Sequence, residues 1–178
     1  MAGELSTLDL AALGLAGGQV RSFEAQLAID PLRFGGETYT VEPDPFAATV
    51  EVGRMVGPGF ELKLRFEATL VGPCVRCLKE AHVHLLVAAH ELHSPGAGEE
   101  LDSPYVTGGL LDVRAWARDA FVLSLPTKIL CDPGCKGLCP VCAADLNLVE
   151  AGHHHDPPTD PRLAPLAELW QQLGEGRL

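Results

Sequence analysis

The stretch Phe60-Glu61-Leu62-Lys63-Leu64-Arg65-Phe66-Glu67-Ala68-Thr69-Leu70 alternates apolar and polar residues without a break. A period of two puts Phe60, Leu62, Leu64, Phe66, Ala68 and Leu70 on one face, the pattern of a strand with one buried and one wet side. Just upstream, Phe46, Ala48, Val50 and Val52 alternate with Thr49 and Glu51. Val56-Gly57-Pro58-Gly59 lies between the two runs and reads as a turn, so the pair predicts a hairpin. Phe23, Ala25, Leu27 and Ile29 predict an earlier strand; Val83, Leu85, Val87 and Ala89, interleaved with His82, His84 and Leu86, predict a later one. No strand is followed by a long amphipathic helix, which argues against parallel crossovers. The expected class is α+β: an antiparallel sheet or partial barrel, two C-terminal helices and a Cys-rich zinc-knuckle segment.

The first helix is expected after Asp112, a capping residue, with Val113, Trp116, Ala117 and Ala120 on one face and Pro126 beyond its end. The second is expected after Asp160-Pro161, with Leu163, Leu166, Leu169 or Trp170, and Leu173 as a stripe ended by Gly174. Trp116 and Trp170 are read as core residues, with Trp170 free to dock on a partner if its helix does not fold back. The expected organisation is a β-rich domain with its helix over residues 1–126. A zinc segment, a linker and a C-terminal helix packed on it follow over 127–178.

The chain has 178 residues, 47% of them hydrophobic and 21% charged, which is globular composition and needs no disulfide framework. Thirteen basic residues against 24 acidic ones give a formal charge of -11. Such a surface repels phosphate, so a grip on nucleic acid by overall charge is excluded and a basic protein partner is favoured. No apolar run approaches the roughly 20 residues of a membrane helix. The N-terminus carries no basic residue before Arg21, unlike a signal peptide. The expected location is the reducing cytoplasm, where cysteines serve metals more often than disulfides.

Six cysteines carry the chemistry. Cys131, Cys135, Cys139 and Cys142 are spaced C-x3-C-x3-C-x2-C, and four thiolates match the tetrahedral shell of a structural zinc. Pro133, Gly134, Gly137 and Pro140 break any helix and let the backbone wrap around an ion. Cys139-Pro140-Val141-Cys142 reads as a zinc knuckle, with Ala143 where glycine is common; a positive φ there costs on the order of 1 kcal/mol. Cys74-Val75-Arg76-Cys77 has three open readings: part of the zinc site with Cys139 and Cys142, a redox dithiol activated by Arg76, or a turn whose thiols pack as small hydrophobes. His153, His154 and His155 are read as a solvated linker, and His82, His84, His90 and His93 as surface residues. No catalytic arrangement is visible.

Taken in order, the alternating strand, Cys74-x-Arg76-Cys77-Leu78, a Tyr-Val strand, a helix capped by Asp112 and ending in Leu125-Pro126, Cys131, the run Cys135-Lys136-Gly137-Leu138-Cys139-Pro140, Cys142 and Leu146-Asn147 resemble the YceD-like family of large ribosomal RNA subunit accumulation proteins. The resemblance covers roughly residues 60 to 173. It implies a non-catalytic role in 23S rRNA accumulation and large-subunit assembly. It also implies that the C-x2-C is separable from the downstream cluster, since some members have only the former. That favours a self-contained zinc site at Cys131, Cys135, Cys139 and Cys142, with Cys74 and Cys77 as alternative metal or redox residues. Four thiolates and one Zn²⁺ would take the formal charge from -11 to about -13. The expected partner is a large-subunit precursor or a basic ribosomal protein, with any RNA contact confined to Arg76, Lys79, Lys128 and Lys136.

Overall fold

The computed structural model describes residues 6–96, 98, 101–149, 152–155, 162, 166, 169 and 170. It divides into two compact units, Met1–Gly137 and Leu138–Leu178. The boundary falls after Gly137 rather than after residue 126. The segment following the helix belongs to the first unit because the Val75 N–H donates to the Ile129 carbonyl at 2.9 Å.

The alternating stretch forms the central strand of that unit. In chain order the strands are β1 (Thr7–Asp9), β2 (Val20–Leu27), β3 (Leu32–Phe34), β4 (Glu37–Glu42), β5 (Phe46–Arg54), β6 (Phe60–Pro73), β7 (Glu80–His93), β8 (Val106–Thr107) and β9 (Leu110–Asp112), followed by helix α1 (Val113–Leu123). Every pairing is antiparallel. β7 accompanies β6 along its whole length, from Phe60 opposite His93 to Pro73 opposite Glu80. The other edge of β6 is shared, with β5 taking Phe60–Phe66 and β4 taking Thr69–Val71. β2 lies outside β5, β3 outside β4, and β1, β9 and β8 make a small separate sheet.

Period two holds where it was read. Leu62, Leu64, Phe66, Ala68 and Leu70 are buried, as are Val50 and Val52 on the neighbouring strand. Phe60, at the strand end, is only half-buried, with the Arg54 guanidinium 4.6 Å from its ring centroid. Helix α1 begins where Asp112 Oδ1 accepts the Ala115 N–H at 2.9 Å. It sets Phe121 over Phe66 at 6.4 Å between centroids, and Phe66 stacks on Phe46 at 4.8 Å. Trp116 is buried beside Tyr105. One helix stands among the described residues, not two; the second, expected over Leu163 to Leu173, lies largely outside them. No described helix is long and apolar enough to cross a membrane.

His93 departs from its surface reading. It closes β7 as a buried residue with Nδ1 3.0 Å from Asp102, although the angle makes no hydrogen bond. At the other end of the sheet, Tyr39 lies across Gly72 and donates its hydroxyl to the Pro73 carbonyl at 2.9 Å. A Cβ on Gly72 would fall 2.3 Å from the Tyr39 ring. This close approach leads the chain into Cys74.

Candidate metal centres

The connection between β6 and β7 is itself a knuckle. Within Cys74-Val75-Arg76-Cys77-Leu78-Lys79, the Leu78 N–H donates to the Cys74 carbonyl at 3.0 Å and the Arg76 N–H to Cys74 Sγ at 3.5 Å. The Cys74 N–H donates to the Lys79 carbonyl at 2.7 Å, and Leu78 sits at φ 60°. The same bonds recur in Cys139-Pro140-Val141-Cys142-Ala143-Ala144. There Ala143 N–H reaches the Cys139 carbonyl at 2.8 Å, Val141 N–H reaches Cys139 Sγ at 3.4 Å, and Cys139 N–H reaches the Ala144 carbonyl at 2.8 Å. Ala143 takes φ 57°, the strained conformation anticipated for it. The two hexapeptides thus share one backbone design, in which N–H groups point at a sulfur and favour its thiolate form.

Each knuckle gathers two further ligand atoms from its own unit. In the first unit the sulfurs of Cys74, Cys77, Cys131 and Cys135 all lie within 4.8 Å of one another. Cys74–Cys135 is 3.8 Å and Cys77–Cys131 is 3.4 Å. A tetrahedral zinc with bonds of about 2.3 Å sets its sulfurs ~3.8 Å apart, so the group has the size of a metal shell. None of the six cysteines is joined in a disulfide. Local bonds place Cys131 and Cys135: Gly134 N–H donates to Asp132 Oδ1 at 2.7 Å, Cys135 N–H to the Asp132 carbonyl at 3.0 Å, and Arg76 clamps the Cys135 carbonyl with its guanidinium. Gly137, at φ 82°, passes so close that a Cβ would meet the Arg76 carbonyl at 3.0 Å. In the second unit Cys139, Cys142, His153 and His155 form a like group.

The four cysteines expected to make one site are therefore divided, two to each group. The physical reason is that a C-x3-C turn and a C-x2-C knuckle each supply half a shell, and the β6–β7 knuckle claims Cys131 and Cys135. Of the readings left open for Cys74 and Cys77, the geometry is that of metal ligands, with Cys131 and Cys135 rather than Cys139 and Cys142 as companions. His153 and His155, read from the sequence as a solvated linker, stand beside Cys139 and Cys142 as candidate ligands. Their Nε2 atoms lie 3.2 Å apart, while His154 turns to the Gly152 carbonyl.

The electrostatics of the four-thiol group suit a cation. Burial opposes ionisation of Cys74, but N–H groups of the knuckle and the Cys77 thiol override it and bring Cys74 down to about 6. Cys131, hydrogen-bonded by Cys77 and partly desolvated among the other sulfurs, is pushed up to about 12. Cys77 is raised despite the N–H of Lys79, by burial and by the neighbouring thiols. Four sulfurs this close cannot all ionise together without a positive charge between them, which a metal would supply. Cys139 is brought down to about 6, first by the Cys142 N–H and then by His153. Arg76, Lys79, Lys128 and Lys136 are all exposed and flank the four-thiol group. Arg76 is already engaged with Cys135.

The profile of the family described as large ribosomal RNA subunit accumulation protein YceD matches residues 62–170. Uncharacterized proteins of Mycobacterium tuberculosis and Mycobacterium bovis are each 32% identical to the chain over 170 residues, covering 92% of it and 80% of their own length. An uncharacterized protein of Mycobacterium leprae is 33% identical over 108 residues, covering 57% of the chain and 49% of its own length. No solved structure matches the chain.

Proposed function

Since the chain belongs to the YceD family of large ribosomal RNA subunit accumulation proteins, we propose that it is a non-catalytic factor supporting 23S rRNA accumulation and large-subunit assembly, its fold clamped by a structural zinc on Cys74, Cys77, Cys131 and Cys135. The observation that carries this reading is that the matched region contains the whole four-thiol group. Four protein ligands fill a tetrahedral zinc and leave no position for water, so the ion holds structure instead of activating a nucleophile. The redox alternative finds less support. A reactive dithiol belongs at a helix N-terminus, whereas Cys74 and Cys77 sit in a turn between two strands with two more thiols against them.

The partner we propose is a large-subunit precursor in the cytoplasm, reached through a basic ribosomal protein more than through bare rRNA. A charge of -11 opposes phosphate, and the basic residues around the four-thiol group are fewer than the 6–10 phosphate contacts of a strong electrostatic binder. Depletion in growing cells tests the function: 23S rRNA should fall relative to 16S rRNA. The wild-type chain should restore it and a Cys77→Ser/Cys135→Ser variant should not. An unchanged ratio on depletion would overturn the proposal. Affinity purification should recover large-subunit proteins together with pre-23S rRNA.

A further inference from the structure

The described residues of the second unit form almost no apolar interior. Among its described residues only Cys139 is buried, while Val141, Leu148, Leu166, Leu169 and Trp170 are exposed. A segment of about 40 residues rarely folds on a hydrophobic core and usually needs a metal, disulfide or partner. No disulfide is present among its cysteines. Its described residues instead bring together the four ligand atoms of Cys139, Cys142, His153 and His155.

We propose that these four residues form a second metal centre, a Cys2His2 zinc site, so that the chain binds two ions in shells of different chemistry. The distances agree with such a shell. Tetrahedral zinc with bonds of about 2.3 Å to sulfur and 2.0–2.1 Å to nitrogen puts S and N ~3.6 Å apart and two nitrogens ~3.3 Å apart. Cys142 Sγ lies 3.6 Å from His153 Nε2 and 3.3 Å from His155 Nε2, and the two Nε2 atoms are 3.2 Å apart. The knuckle that presents Cys139 and Cys142 repeats, bond for bond, the one that presents Cys74 and Cys77. The Leu138–Asp145 bridge closes its base.

The two centres differ in exposure. Three of the four thiols in the first are buried, whereas three of the four ligands in the second are exposed. A competing chelator therefore reaches the second ion first, and with it goes the placing of Cys139, Cys142, His153 and His155.

The test is metal counting on the full chain purified without added metal. Zinc at two ions per chain is expected, falling to one in His153→Ala/His155→Ala. One ion per wild-type chain, or two retained in that variant, overturns the proposal. A measurement on the unaltered protein guards against a variant that fails to fold. After cadmium substitution, cadmium-113 NMR should give two resonances, the all-sulfur one downfield of the mixed one, and a graded chelator should remove the mixed one first. A single resonance, or two all-sulfur resonances, refutes the Cys2His2 assignment. None of these readouts depends on the ribosomal role, so its failure and theirs are separable.

Discussion

Replacing Gly72 with alanine ordinarily stiffens the unfolded chain and stabilises by about 0.4–1 kcal/mol where the backbone permits. Gly72 has an ordinary β conformation, so the substitution introduces no backbone strain. The structure predicts the opposite sign. The new Cβ would stand 2.3 Å from Tyr39 Cδ1 and 2.9 Å from Cγ and Cε1, whereas carbons in contact rest about 3.5–4.0 Å apart. The ring has to move by roughly 1.2 Å or more to restore that spacing. It is 2% exposed and tied by its hydroxyl to Pro73. Overpacking of this kind costs about 1–3 kcal/mol, and losing the hydroxyl's hydrogen bond adds about 1 kcal/mol. The expected destabilisation is about 2–4 kcal/mol. Urea unfolding of the metal-loaded chain, followed by tryptophan fluorescence, measures it as a midpoint shift of roughly 1–2 M. The control is the same substitution in a Tyr39→Ala background, where the clash has no partner and the ordinary stabilisation of about 0.4–1 kcal/mol should return. A loss below half a kcal/mol in the wild-type chain, or an equal loss in both backgrounds, would refute the steric argument.

Further outcomes are expected. Leu64→Ala, at a fully buried position in the middle of β6, should cost about 2–5 kcal/mol in the same assay; a negligible loss would place that face outside the core. Leu78→Gly should raise the thermal midpoint. Relief of a left-handed conformation worth about 1–2 kcal/mol outweighs the entropy of glycine, and the exposed leucine gives up little packing. A lowered midpoint would contradict it. In metal-free protein the thiolate is the form that reacts, and it is populated above the pKa. The ultraviolet absorbance of thiolate should therefore begin to rise as pH passes upward through about 6, where Cys74 and Cys139 ionise, while Cys131, held up to about 12, adds nothing through pH 9; a titration with no rise until well above pH 8 would count against the sulfur geometry. Binding to a 23S rRNA fragment should be weak with a shallow salt slope and should strengthen with basic large-subunit proteins present. Tight, steeply salt-dependent binding to the bare fragment would make RNA the direct partner.

Strands with a strong period were legible in the sequence because burial on one face imposes the alternation that β6 and β5 display. The short strands β1, β3, β8 and β9 carry two or three residues each, too few for any period to register. The N-terminal cap at Asp112 was legible because it is local chemistry. The candidate metal sites were half legible for a related reason. A C-x2-C spacing announces a knuckle from within six residues, and the positive φ at Ala143 followed from that. Which second pair completes each shell is a tertiary fact. Cys135 and Cys139 are close along the chain and look like partners, yet Cys135 is joined to Cys74 by the folding of everything between them. His153 and His155 carried a faint signal in their i, i+2 spacing, hidden by His154 between them.

The knuckle at the end of β6 also has a topological effect. An ion held by Cys77 and Cys131 would join positions 54 residues apart, closing β7, β8, β9 and α1 into one ring. By the loop-closure relation used for disulfides, closing a ring of that length costs the chain about 4 kcal/mol of entropy. The ring between Cys142 and His153 spans only 11 residues and costs about 3 kcal/mol. Stripping the first ion would therefore lengthen the search the chain must make to refold, beyond loosening its native contacts. Refolding of the apo protein should slow more through loss of that long closure than through loss of the short one.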